Sequence, residues 1–148
     1  MNSSKRLKPI KKLADNKQKA AAQTLGKSME MRKFQIQKLN QLVSYRAEYV
    51  NSMALKTQQG MSGDQLQQYH QFLTKLDTAI DHQKVVVSES EQQMSQNQDQ
   101  WRSKNSRANA IGKAIDQLKQ KEVKASDKKE ATQIDELSAQ AFLRGKLR

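Results

Sequence analysis

Leu66, Leu73, Ile80, Val87, Met94, Trp101, Ala108 and Ile115 stand seven residues apart without a slip, and Tyr69, Leu76, Ile111 and Leu118 follow three residues behind their own rungs. Fifty residues with one apolar period of seven leave little choice of fold: they form a helix that buries a narrow seam against another helix. An earlier series runs Ala22, Met29, Ile36, Val43 and Val50, with Leu25, Leu39 and Met53 as companions. Each series calls for a helical partner, and a strict seven-residue repeat predicts a left-handed supercoil.

The two series are separated by "QQGMSGDQ", residues 58–65, which holds two of the five glycines. Gly60 suits a helix C-terminus, and Ser62 or Asp64 suits the N-cap of the next helix. A short connection makes antiparallel neighbours. The expected fold is therefore all-α: one long two-helix antiparallel coiled-coil hairpin, left-handed, an extended rod roughly 65 Å long at 1.5 Å per helical residue. Facing residues should have numbers adding to about 119, pairing Leu39 with Ile80, Val43 with Leu76, Val50 with Tyr69 and Met53 with Leu66, or to about 126 if the register shifts by a heptad.

The expected boundaries are a disordered basic segment at 1–12, helix 1 at 13–58, a turn at 59–64, helix 2 at 65–124 and a tail at 125–148. In that tail Ile134, Leu137 and Ala141 leave the heptad frame, so a frayed continuation or a short separate helix is expected. The lone proline, Pro9, lies near the start, and nothing after it forces a kink. Arg32, Arg46, Gln83, Ser90, Asn97 and Lys104 fall at seam positions, where polar residues lower stability and favour one register.

Only 35% of the residues are hydrophobic and 28% are charged, too few apolar groups for a compact core. There is no cysteine, which excludes a disulfide scaffold and a thiol nucleophile, and fits a reducing cytosol. No stretch approaches the ~20 apolar residues of a membrane span, so the chain is expected to be soluble and unprocessed. The net charge is +12, distributed as +7 over residues 1–27, −1 over 28–100 and +6 over 101–148. Antiparallel arms would bring the two basic segments together at one end, a feature suited to an acidic partner.

Chemistry-bearing motifs are weak. "LGKSME" at 25–30 ends like a phosphate-binding loop but has Ala21 where the first glycine must stand, and no strand precedes it. His70 and His82 are twelve residues apart, without the one-turn spacing of a helical metal site. No catalytic grouping can be argued, so no enzyme, no cofactor and no metal are expected.

Two surpluses remain beyond what the seam needs. In "LVSYRAEY" Leu42, Tyr45 and Tyr49 form a second stripe beside Val43 and Val50, and in "YHQFLTKLDTAI" Phe72, Leu76 and Ala79 repeat the pattern. Either the core is simply wider or packs on a copy of itself, or these side chains form a protein-docking patch near the turn. The second surplus is the basic end. Aromatics are not interleaved with its charges and no recognition motif appears, so specific nucleic-acid binding is the alternative reading rather than the first. A self-assembling structural coil is the other alternative.

The stretches "LVSYRAEY", "QYHQFLTKLDTAI", "QWRSKNSR" and "QIDELSAQAFLR", in that order and spanning nearly the whole chain, resemble the FliJ family, a small coiled-coil component of bacterial flagellar type III export. The resemblance implies a stalk-like hairpin that is monomeric when free. It further implies a terminal end held in the hexameric export ATPase and a turn-proximal part that meets the cytoplasmic domain of the membrane export gate. It adds a link to late-substrate export chaperones and a location in the cytoplasm, peripheral to the inner membrane at the flagellar base. The gate-facing positions it implies are Leu42, Tyr45, Tyr49, Phe72, Leu76 and Ala79. Lys38 and Gln83 depart from the familiar glutamine and histidine there. The basic end would present Lys5, Arg6, Lys11, Lys12, Lys119, Lys121 and Arg144 to the ATPase ring, with the apolar Leu13, Ile134 and Leu137.

Overall fold

A computed structural model describes residues 3–146. They form two helices, α1 (Ser3–Gln59) and α2 (Gly63–Lys146), joined by Gly60, Met61 and Ser62 and packed against each other as a hairpin. Gly60 takes φ +100° and its N–H bonds the Thr57 carbonyl at 3.2 Å, which stops α1. Ser62 starts α2: its Oγ accepts from the Gln65 N–H at 3.1 Å, while Gln65 Oε1 accepts from the Ser62 N–H at 3.3 Å. This reciprocal box satisfies two donors that a helix start leaves unpaired, and it selects Ser62 over Asp64 as the cap.

The chain divides into two units. One, the turn-bearing unit, is Ala20–Arg102; the other, the terminal unit, draws on Met1–Lys19 and Ser103–Arg148.

In the turn-bearing unit the helices run antiparallel. Gln83 reaches Gln35, and Tyr49 stacks on Tyr69, both pairs of numbers adding to 118. Arg46 with Asp77 and Arg32 with Glu91 add to 123. The two uncharged contacts agree with the value near 119, and the ion pairs, made by long arginine side chains, fall between it and the shifted one. On α2 the expected ladder is the seam: Leu76, Ile80 and Gln83 are buried and Leu73, Val87 and Met94 half-buried.

On α1 the seam is rotated from its expected setting. The inward line is Leu25, Arg32, Leu39, Arg46 and Met53, flanked by Ser28, Gln35, Leu42 and Tyr49. Met29 and Val43, expected inside, keep 54% and 48% of their surface. Arg46 explains part of this. It sits in the seam because Asp77 across from it accepts from its Nε at 2.5 Å, and that carboxylate raises the guanidinium pKa through the hydrogen bond first and its charge second. The series Ser28–Tyr49 and Met29–Val50 have the same heptad spacing and are offset by one residue, so hydrophobic spacing alone does not choose between them.

The terminal unit has its own small core of Ala14, Ala108 and Ile115. The Lys11 stem lies over Gly112, where an added Cβ would meet its Cε at 3.2 Å. Residues 3–12 are helical rather than disordered; Met1 and Asn2 lie outside the described residues. The reason is a cap supplied across the hairpin, in which Glu122 accepts from the Ser4 N–H at 3.1 Å and from its Oγ–H at 2.7 Å. Pro9 lies inside α1, exposed, and removes one helical N–H donor without ending the helix.

The tail is likewise neither frayed nor separate. α2 continues unbroken to Lys146, with Leu147 and Arg148 outside the described residues. Every residue from Val123 to Lys146 is exposed. Residues 124–144 contain neither proline nor glycine and many strong helix formers, so helix persists where α1 no longer covers it.

Candidate functional site

The turn-bearing unit gathers the aromatic side chains. Tyr49 has its ring 4.6 Å from Phe72, 5.3 Å from Tyr69 and 6.5 Å from Tyr45, and Tyr45 meets Phe72 edge-on at 6.2 Å. Offset and edge-to-face rings attract through their quadrupoles, so the cluster fastens α1 to α2 as well as presenting a surface. Its members are not equivalent. Tyr45 is 48% exposed; Leu42, Tyr49, Phe72 and Ala79 are half-buried; Leu76 is 7% exposed. Leu76 is therefore a seam residue and not part of the outer surface, since it stands three residues behind Leu73 on the ladder.

Leu42 and Tyr45 border a shallow open groove with Lys38, Gln41 and Gln83. The two departures from the familiar pattern have visible roles there. Gln83 turns inward and donates from Nε2 to the Gln35 carbonyl and to Gln35 Oε1. Lys38 holds its ammonium 4.8 Å from the centre of the Phe34 ring. Phe34 and Met31 are exposed on the same side of α1, an extension that heptad reading passes over because neither belongs to a ladder.

The terminal unit is the second candidate surface. Its described residues carry 17 basic and 7 acidic side chains, net +10, whereas the turn-bearing unit carries 9 and 8, net +1. Lys5, Arg6, Lys12, Lys119, Lys121 and Arg144 are exposed. Lys11 is half-buried and pairs with Asp15 at 2.6 Å, so it is less free to meet a partner than the others. Leu13, Ile134 and Leu137 are exposed, the last two at 61% and 65%. Ile134 and Leu137 share one face of the α2 extension with Ala141. Phe142 and Leu143 are exposed too and were missed by sequence reasoning; their signal is large apolar side chains outside any ladder, in a helix with nothing beside it. Glu122 was also missed, although it occupies the rung seven residues after Ile115.

Among the described residues no group of three or more histidine, aspartate or glutamate side chains could hold a metal ion, and no helix is long and apolar enough to cross a membrane. His70 packs against the Tyr69 ring at 5.2 Å, and His82 is exposed.

A family model described as "Flagellar FliJ protein" matches residues 3–147 of the chain. No curated protein and no solved structure matches it.

Proposed function

The chain belongs to the FliJ family and is a component of flagellar protein export, and from that premise we propose that it is a non-enzymatic connector between two machines of the export apparatus. The terminal unit engages the hexameric export ATPase, promotes its assembly or activity, and the aromatic side of the turn-bearing unit engages the cytoplasmic domain of the membrane export gate. Catalysis belongs to the ATPase. A further role in recycling export chaperones for late substrates accords with the family.

The observation that carries this reading is that the two units present unlike surfaces. Net +10 is gathered in the terminal unit with exposed Ile134 and Leu137, while exposed Tyr45 beside half-buried Leu42, Tyr49 and Phe72 lies in a unit of net +1. Like charges crowded together oppose folding, and they persist where a partner of opposite sign can use them for steering. An α2 extension exposed on all faces contributes little to the hairpin itself and is available to a partner.

The test is the steady-state ATPase rate and ring assembly of the purified export ATPase in moderate salt, with and without the full chain. Stimulation by the full chain that is lost on removing residues 132–148, while the melting of the hairpin is retained, supports the reading. Equal stimulation by the shortened chain, or none by either, removes the terminal unit from the ATPase.

A further inference from the structure

Within the turn-bearing unit, α1 carries two parallel edges, and the seam takes the more polar one. The inner edge reads Ser28, Gln35, Leu42, Tyr49; one residue on, the outer edge reads Met29, Ile36, Val43, Val50. Ser28 keeps 8% of its surface, while on the outer edge Met29 and Val43 keep about half of theirs and only Ile36 and Val50 are half-buried. Covering a serine and a glutamine while a methionine and a valine face water runs against the main driving force of packing. Arg32 adds a second mark of an imperfect fit. Its Nε is buried with no hydrogen-bond partner, since Glu91 Oε1 at 3.5 Å is an ion-pair neighbour only. Buried donors in native proteins are nearly always paired.

What holds this setting is local. Gln83 makes two hydrogen bonds to Gln35, and Tyr49 packs on Tyr69 and Phe72. Both anchors lie on the inner edge, so they offset what the outer edge forfeits and leave two arrangements of α1 in close competition.

We propose that α1 has a second rotational setting against α2. A turn of about half a residue step, roughly 50°, brings Met29, Ile36, Val43 and Val50 into the seam and moves Ser28, Gln35, Leu42 and Tyr49 outward. The line Leu25, Arg32, Leu39, Arg46 and Met53 stays between the helices in both settings, so the hairpin need not open. The long stems of Arg32 and Arg46 let them follow Glu91 and Asp77 through the turn. Packed interfaces move between discrete arrangements of this kind rather than deforming continuously. In the second setting Leu42 and Tyr49 join Tyr45 at the surface. Resting on the gate-binding reading above, the rotation sets how much of the aromatic surface is offered, and a partner that contacts Leu42 and Tyr49 selects the turned state.

The full chain has no cysteine, so single thiols report the two edges cleanly. Leu42→Cys and Val43→Cys are made separately, and their labelling rates by a thiol reagent are measured with and without Gln35→Glu, which places a charge on the inner edge. Rotation predicts opposite responses: labelling at position 42 rises at least about threefold and labelling at position 43 falls. Gln35→Leu with Gln83→Leu, which makes the inner edge apolar and leaves no unpaired Gln83 behind, should slow labelling at 42 relative to 43. Changes in the same direction at both positions, or none at either, overturn the rotation. The labelling needs no partner, so it stands or falls separately from gate binding.

Discussion

Gln83 Nε2 lies 2.8 Å from Gln35 Oε1 and 2.9 Å from the Gln35 carbonyl, a polar layer set across a seam that is apolar on the turn side of it at Leu76 and Ile80. Such a layer lowers stability relative to a pair of leucines and discriminates against slipped registers, whose shifted frame would leave Gln83 facing apolar groups. Gln83→Ala should destabilise the hairpin by about 1–2 kcal/mol, as a buried acceptor set loses its donor. Gln35→Leu with Gln83→Leu should match or exceed the parent in thermal melting followed by circular dichroism. A double variant much less stable than either single variant would contradict this.

The two tyrosines of α1 should separate packing from docking. Tyr49 touches three rings and is half-buried, so Tyr49→Ala should cost about 1–3 kcal/mol, less than a fully buried aromatic. Tyr45 is 48% exposed, and Tyr45→Ala should cost about 0.5–1 kcal/mol. Chemical denaturation of both variants checks the ranking; equal losses would mean that Tyr45 is as much a core residue as Tyr49.

The turn offers a contrast between two glycines that both have open space around them. Gly60 has φ +100°, where a Cβ is strained, and Gly60→Ala should destabilise by about 1 kcal/mol or more. Gly63 begins α2 with ordinary helical geometry, and Gly63→Ala should stabilise by about 0.5 kcal/mol. Melting temperatures of the two variants should move in opposite directions.

The cap between Ser4 and Glu122 should be sensitive to acid. The Ser4 hydroxyl first, and its N–H second, hold the Glu122 carboxyl below the ordinary glutamate value. Because the folded pKa is the lower one, the contact contributes fully above the ordinary value and is lost as pH falls through the depressed one. Amide exchange at residues 4–7 should speed up over that acidic window; Ser4→Ala, which keeps the N–H contact, should weaken this pH dependence, and Glu122→Ala should abolish it. An unchanged profile in Glu122→Ala would show that Glu122 is not the cap.

Most of the hairpin was legible because its signals were redundant. The α2 ladder from Leu73 to Ile115 fixed the seam of that helix, while Leu66, expected to face Met53, is left 39% exposed beside the turn; Gly60 marked the end of α1, and the short turn imposed antiparallel packing. The rotation of α1 was not legible, because Leu42–Tyr49 and Val43–Val50 are both apolar at heptad spacing and the choice depends on Asp77 and Gln83 across the seam. The helix at residues 3–12 was missed for a similar reason: Glu122 supplies its cap from more than a hundred residues away. Leu76 suits both the surface stripe and the seam by its spacing, and only packing assigns it to the seam. The candidate surfaces were legible as surplus, apolar residues or charges beyond what the ladder uses, but exposure decided which members are free, Tyr45 and Leu137 among them, and which are half-covered, such as Lys11 and Tyr49.

The connector reading is tested most directly by capture through the chain. The cytoplasmic domain of the export gate is immobilised, and retention of the export ATPase is measured with and without the full-length chain at moderate salt. The ATPase should be retained only when the chain is present. Retention should be lost with Tyr45→Ala, which releases the chain from the gate, and with Ile134→Asp plus Leu137→Asp, which releases the ATPase from the chain. Gate and ATPase competing for the chain, so that each displaces the other, would contradict a connector and leave two separate binding partners in its place.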